Sequence, residues 1–205
     1  FSISLYSAEL VGRDRDEFAI GVDTYLHTDA GEQTQISWML QASDEMICIN
    51  AFDDEIDKGI INLDVPHRYN ERPPYWSIQD RIVDPALRGN GIGTQITGIT
   101  EDCIQAYANR VQSEQLIRVT PAQPNVAAFY FNRGYQPEDE EQAKRLSMML
   151  DGHESLSCRQ YPVDGPPGRT EPFCYEACVV EEAEDLKLED VFRVTLVKKI
   201  RPSAG

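Results

Sequence analysis

Between Ile82 and Thr94 the chain reads Ile-Val-Asp-Pro-Ala-Leu-Arg-Gly-Asn-Gly-Ile-Gly-Thr, placing glycines at 89, 91 and 93. Glycine accepts backbone angles that a Cβ forbids, so three at alternate positions permit a tight, bare turn. Such a turn at the start of a helix leaves amide N–H groups without helical partners, and the helix dipole adds a partial positive charge. Phosphate and diphosphate groups suit that environment. The amides of Gly89, Asn90, Gly91, Ile92, Gly93 and Thr94 are the candidate donors. Arg88 offers a cationic side chain beside them. The plain alternative is an ordinary tight turn leading into a helix.

The elements that would hold this turn are legible on both sides. Tyr75 to Val83 is β-prone, entered through Pro73-Pro74 and stopped at Pro85. Ile92 to Val111 has helical spacing, with Ile92, Ile96, Ile99, Cys103, Tyr107 and Val111 along one stripe. Gln115–Val119 reads as a short buried strand. Upstream, residues 46–52 and 59–65 flank the polar stretch Asp53–Lys58 and predict an antiparallel hairpin. Residues 1–11 alternate well enough for a strand. Residues 17–28 and 33–42 stay ambiguous, because Phe18, Ile20 and Val22 alternate like a strand without fixing the type. Downstream, Glu138 to Leu150 reads as an acidic-capped helix ending at Gly152, and 153–172 as a proline- and glycine-rich loop. Phe173–Val180 and Val191–Lys199 read as a closing strand pair.

Spacing separates the glycine turn from two common phosphate binders. A dinucleotide fingerprint needs a third glycine where Thr94 stands, and a Walker loop needs a lysine that is absent here. What remains, Arg88-x-x-Gly91-x-Gly93 after a strand and before a long helix, resembles motif A of the GCN5-related N-acetyltransferases, the GNAT superfamily. Pro85, three residues before the arginine, is also usual there. A second block, Pro124-Asn125 through Phe129-Tyr130 to Gly134-Tyr135, resembles the next motif of that family. Its tyrosine-to-glycine spacing fits. The family's asparagine stands seven residues before the tyrosine, where this chain has Gln123, and Asn125 stands five before. The two blocks cover about a third of the chain, roughly residues 75–136.

The resemblance implies an α/β (α+β) fold: a mixed, mostly antiparallel sheet, splayed in its middle and flanked by helices, with one or two helices over residues 17–28 and 33–42. It implies one domain over 1–205, with residues 137–172 inserted before the last strand pair. It also implies direct transfer of an acetyl group from acetyl-CoA to a primary amine. The pantetheine arm would run along the backbone of Ile82 and Val83, and Asn125 would contact the cofactor. Tyr130 stands where the family often places the acid that protonates the departing thiolate, the alternative being an aromatic that packs helix on sheet. For the base, strict alternation along 75–84 groups Asp80 with Trp76, Ile78 and Ile82, where apolar neighbours would raise a carboxyl pKa. The alternative is an Asp at a strand edge or paired with Arg81 or Arg118. Glu71 and His67 are further candidates, and His153 reads as a surface residue.

Charge narrows the partners. The chain carries 19 Lys+Arg against 35 Asp+Glu, a formal −16. Residues 1–80 hold a net −11 and 137–190 a net −10, whereas 81–133 hold +1 and 191–205 hold +4. The near-neutral section contains the proposed diphosphate turn, which suits a polyanionic coenzyme on an acidic protein. The acidic flanks are either a solvated surface or an attractor for a cationic acceptor, such as a polyamine, an aminoglycoside or a lysine-rich segment. Nucleic acid is not an expected partner. Neither is a membrane, since no apolar run approaches the ~20 residues a span requires.

The start at Phe1 lacks a basic n-region, so no signal peptide and a cytoplasmic setting are expected, a processed chain being the alternative. Five cysteines, at 48, 103, 158, 174 and 178, are expected as reduced thiols. Cys158 with Cys174-x-x-x-Cys178 leaves a disulfide or metal site open, and no metal is assigned. A homodimer is left open. The second reading is a non-catalytic acyl-CoA-binding or interaction module built on the same fold, and a longer acyl donor is a third.

Overall fold

A computed structural model describes residues 9–14, 17–27, 33–42, 46–53, 56–64, 75–83, 89, 91–163, 173–180 and 191–203. The architecture is mixed α/β, with a mostly antiparallel sheet flanked by helices. The chain forms two compact units, one of residues 1–117 with 199–205, the other of residues 118–198.

The first unit is a meander. Strands β1 (Glu9–Asp14), β2 (Glu17–His27), β3 (Gln33–Ala42), β4 (Met46–Asp53), β5 (Ile56–Asp64) and β6 (Trp76–Val83) lie in chain order, each antiparallel to the next. The hairpin expected around residues 53–58 is β4–β5, with Ile49 opposite Ile61. The ambiguous stretches 17–28 and 33–42 are both strands, paired from Phe18 opposite Ala42 to His27 opposite Gln33. The helices that the resemblance implies there are absent among the described residues. Period-two alternation, satisfied by ten consecutive pairs, prevails over the family pattern.

Helix α1 (Ile92–Val111) has the expected bounds and lies against β4, β5 and β6. Its buried face differs from the expected stripe. The buried residues are Ile92, Ile96, Thr97, Thr100, Ile104 and Ala108, whereas Ile99, Cys103 and Val111 are half-buried and Tyr107 exposed. Two threonines can be buried because the helix satisfies their hydroxyls. Thr97 Oγ1 donates to Gly93 O at 2.8 Å and Thr100 Oγ1 to Ile96 O at 2.9 Å. On β4 and β5, strands that α1 lies against, Ile49, Ile61 and Leu63 are 0–1% exposed.

The β5–β6 pairing contains an irregularity. Asn62 pairs with Asp80 and Leu63 with Ile78, so Gln79 is an extra residue, a β-bulge in β6. Strand β7 (Gln115–Val119) follows α1 as expected. Trp76 Nε1–H donates to Gln115 Oε1 at 3.0 Å, and the Trp76 ring meets Tyr107 edge-on at 5.3 Å.

The second unit holds α2 (Pro124–Asn132), β8 (Gln136–Pro137), α3 (Glu140–Leu150), β9 (Leu156–Val163) and β10 (Phe173–Val180), and most of β11 (Leu196–Ile200). Pro124 suits the first turn of α2, where its missing N–H costs nothing. Asp139 caps α3 by accepting from the Gln142 amide at 2.8 Å, as the acidic start of that segment predicts. Two expectations are corrected. Part of the segment read as a loop is strand β9, and β10 pairs with β9 along its whole length, while its pairing with the expected closing strand is limited to a bridge between Val179 and Val191. Pro162 is accommodated opposite Cys174 in this two-stranded sheet, where a strand can lack a partner on one side. Strand β11 pairs with β8.

Candidate functional site

Gly91 is the N-cap of α1, at φ +83°, and Gly89 before it stands at +88°. Residues with a Cβ rarely adopt this left-handed region, and here it turns the chain from strand to helix. A Cβ built on Gly91 would meet nothing within 4 Å, so the space above the turn is open. The first helical bond is Gln95 N–H to Gly91 O at 2.9 Å. The amides of Ile92, Gly93 and Thr94 therefore have no partner inside the helix. No side chain caps this end, and its first turn carries no acidic residue. Gly91 and Thr94 are exposed. The result is an open, donor-rich helix end carrying the positive pole of a twenty-residue helix.

The other sequence candidates distribute as follows. Arg88 and Asn90 lie outside the described residues, as do His67 and Glu71. Val83, half-buried, ends β6 on the approach to the turn, and Ile82 precedes it, opposite Ile60. Asp80 pairs through its backbone with Asn62. Because Gln79 is an inserted position, strict alternation does not run from Ile78 to Asp80, and the grouping of Asp80 with Trp76 and Ile78 loses its basis. Local sequence carries no sign of such a bulge. Across the β5–β6 pair, Gln79 Nε2 donates to Asp64 Oδ2 at 2.6 Å and to Ser77 Oγ at 3.2 Å.

Tyr130 and Asn125 belong to the second unit. Asn125 is exposed on the first turn of α2, where its Oδ1 accepts from the Val126 amide at 2.8 Å. Tyr130 is 1% exposed. Its ring meets Phe129 edge-on at 5.2 Å and Tyr135 at 5.0 Å. Gly134, at φ +87°, reverses the chain after α2, letting the Tyr135 amide donate to Tyr130 O at 3.1 Å. That return explains the tyrosine-to-glycine spacing read in the sequence. His153 is exposed, its Nδ1 2.7 Å from Ser155 Oγ.

No group of three metal-ligating side chains assembles among the described residues. None of their helices is long and apolar enough to cross a membrane. The Cys103 thiol is pushed up to about 11, chiefly by burial and secondarily by the neighbouring Asp102 carboxylate.

No protein-family model matches the chain. No curated protein matches it significantly in sequence. Among solved structures, one similar chain is described as a streptothricin acetyltransferase from Bacillus anthracis str. Ames, in complex with acetyl coenzyme A. The likeness covers 66% of this chain and 86% of that one, at 13% identity and a TM-score of 0.36. Similarity at that level decides nothing about this chain.

Proposed function

We propose that this protein is an acetyl-CoA-dependent N-acetyltransferase of GNAT type, transferring acetyl directly to a primary amine on a cationic small molecule or protein. The observation that carries the reading is the helix end at Gly91: positive φ, an open approach, and amides at Ile92, Gly93 and Thr94 left over by the helix. Those three amides would hold the diphosphate of the coenzyme, with Arg88 as the cationic partner. The backbone of Ile82 and Val83, leading into the turn, would align the pantetheine arm. Tyr130 is assigned as donor of the proton that the departing thiolate takes up, and Asp80, as a carboxylate on the strand leading to the turn and without the apolar grouping read from strict alternation, as acceptor of the proton that the attacking amine loses. The acidic flanks of the chain would draw in a positively charged acceptor.

The second reading is a non-catalytic acyl-CoA-binding module. Burial of the Tyr130 ring within an aromatic cluster favours it, because such a ring can serve packing. One pair of measurements separates the two. Calorimetric titration with CoA reports the diphosphate site, and acetyl-CoA consumption against polyamines, aminoglycosides and lysine-rich peptides reports transfer. An enzyme gives saturable binding together with acceptor-dependent turnover. Binding with background turnover establishes the module, and no binding removes both.

A further inference from the structure

The antiparallel register sets Cys158 of β9 directly opposite Cys178 of β10. The type of this pair follows from where the Cys178 backbone is bonded. Its N–H donates to Ala122 O at 2.8 Å, and its carbonyl accepts from the Phe192 N–H at 2.8 Å. In an antiparallel strand the N–H and C=O of one residue point to the same side. Both groups of Cys178 thus face away from β9, and the Cys158–Cys178 pair is a non-hydrogen-bonded one. Opposed residues of that kind have Cα atoms about 4.5 Å apart and the closer side chains, within the roughly 4.4–6.8 Å that a disulfide spans. Cys174 is excluded as the partner: it lies opposite Pro162, four positions along β10, or about 13 Å away at strand rise.

From this geometry we infer that Cys158 and Cys178 are an oxidisable dithiol, a modification site for low-molecular-weight disulfides, which close it into a cross-strand bridge. The inference is independent of the transferase reading. The Cys158 thiolate attacks one sulfur of a disulfide such as oxidised glutathione, forming a mixed disulfide and releasing one glutathione. The Cys178 thiol, 2% exposed and so closed to the reagent itself, then loses its proton and attacks the Cys158 sulfur. The second glutathione leaves. Two protein thiols are oxidised and one small disulfide is reduced to two thiols, so electrons and atoms balance. Cys178 also ties β10 to Ala122, two residues before α2, and to Phe192. Bridging it to β9 therefore clamps the segment from which α2 starts, and closes a loop of about twenty residues in the unfolded chain.

The test uses the full chain incubated with oxidised glutathione, followed by thiol counting and non-reducing peptide mapping. The expected result is loss of two of the five thiols. It is joined by a cross-linked peptide pair containing Cys158 and the 174–178 segment, and by a higher melting temperature than the reduced protein. No Lys or Arg lies between Cys174 and Cys178, so the map is repeated on Cys174→Ser, where the link must persist. The Cys178→Ala variant should instead hold one glutathione on Cys158. The assignment is overturned if wild-type chain keeps all its thiols across the redox series, or if the link disappears in Cys174→Ser.

Discussion

The Gln95 amide reaches the Gly91 carbonyl at 2.9 Å, and this single bond fixes where α1 begins. It leaves the three preceding amides outside the helical ladder, as at any helix start, and Gly91 at φ +83° makes the turn that leads into it. The conformation and the chemistry of the turn can be separated by substitution, since a Cβ there meets open space. Gly91→Ala should cost roughly 1–2 kcal/mol from backbone strain alone and leave CoA affinity nearly unchanged. Gly91→Glu carries the same strain but sets a carboxylate at the proposed diphosphate position, and should weaken CoA binding more than about tenfold. Equal CoA affinities for the two variants, read by calorimetry, would remove the diphosphate from this helix end.

Tyr130→Phe keeps the ring between Phe129 and Tyr135 and deletes only the hydroxyl. If Tyr130 supplies the proton to the thiolate, kcat should fall about 10²–10⁴-fold and the alkaline limb of the pH profile should disappear, with CoA binding preserved. A kcat and pH profile that match wild type would return Tyr130 to packing.

The Trp76–Gln115 hydrogen bond is expected to contribute to stability out of proportion to its size, because Trp76 is 3% exposed. Gln115→Leu leaves a buried indole N–H without this acceptor and should cost about 1–3 kcal/mol in urea unfolding. Trp76→Phe in the same background should recover part of the loss, since it removes the orphaned donor. Additive losses would refute the coupling.

The Cys103 thiol, raised to about 11 by burial and then by Asp102, makes stability fall with alkaline pH. The folded thiol holds its proton more tightly than the unfolded one. Its contribution is therefore complete below the unfolded value near 9.0 and is lost as pH rises toward about 11. At one pKa unit per 1.36 kcal/mol, the full span is on the order of 2–3 kcal/mol. Cys103→Ala should flatten the wild-type decline between these pH values in chemical unfolding. Native Cys103 should also resist alkylation at neutral pH, and rapid labelling would contradict the assignment.

What the sequence determined by itself was local. The bounds of α1, the β4–β5 hairpin, β6 and β7 follow from glycine and proline punctuation and from periodicity within a few residues, so short windows contain the needed information. The same holds for the bare turn, whose glycines announce positive φ before any packing exists. Tertiary structure decided everything that depends on a partner far along the chain. Hydrophobicity favours Cys103 and Tyr107 for the buried face of α1. The packed helix buries Thr100 and Ala108 instead, because an internally bonded hydroxyl and a small side chain let the helix lie close to the sheet. Alternation marks β10 as a strand but cannot name β9 as its neighbour or set Cys158 opposite Cys178. Nor can it foresee that one extra residue at Gln79 breaks the alternation before Asp80, since a bulge exists only in the mismatch between two paired strands.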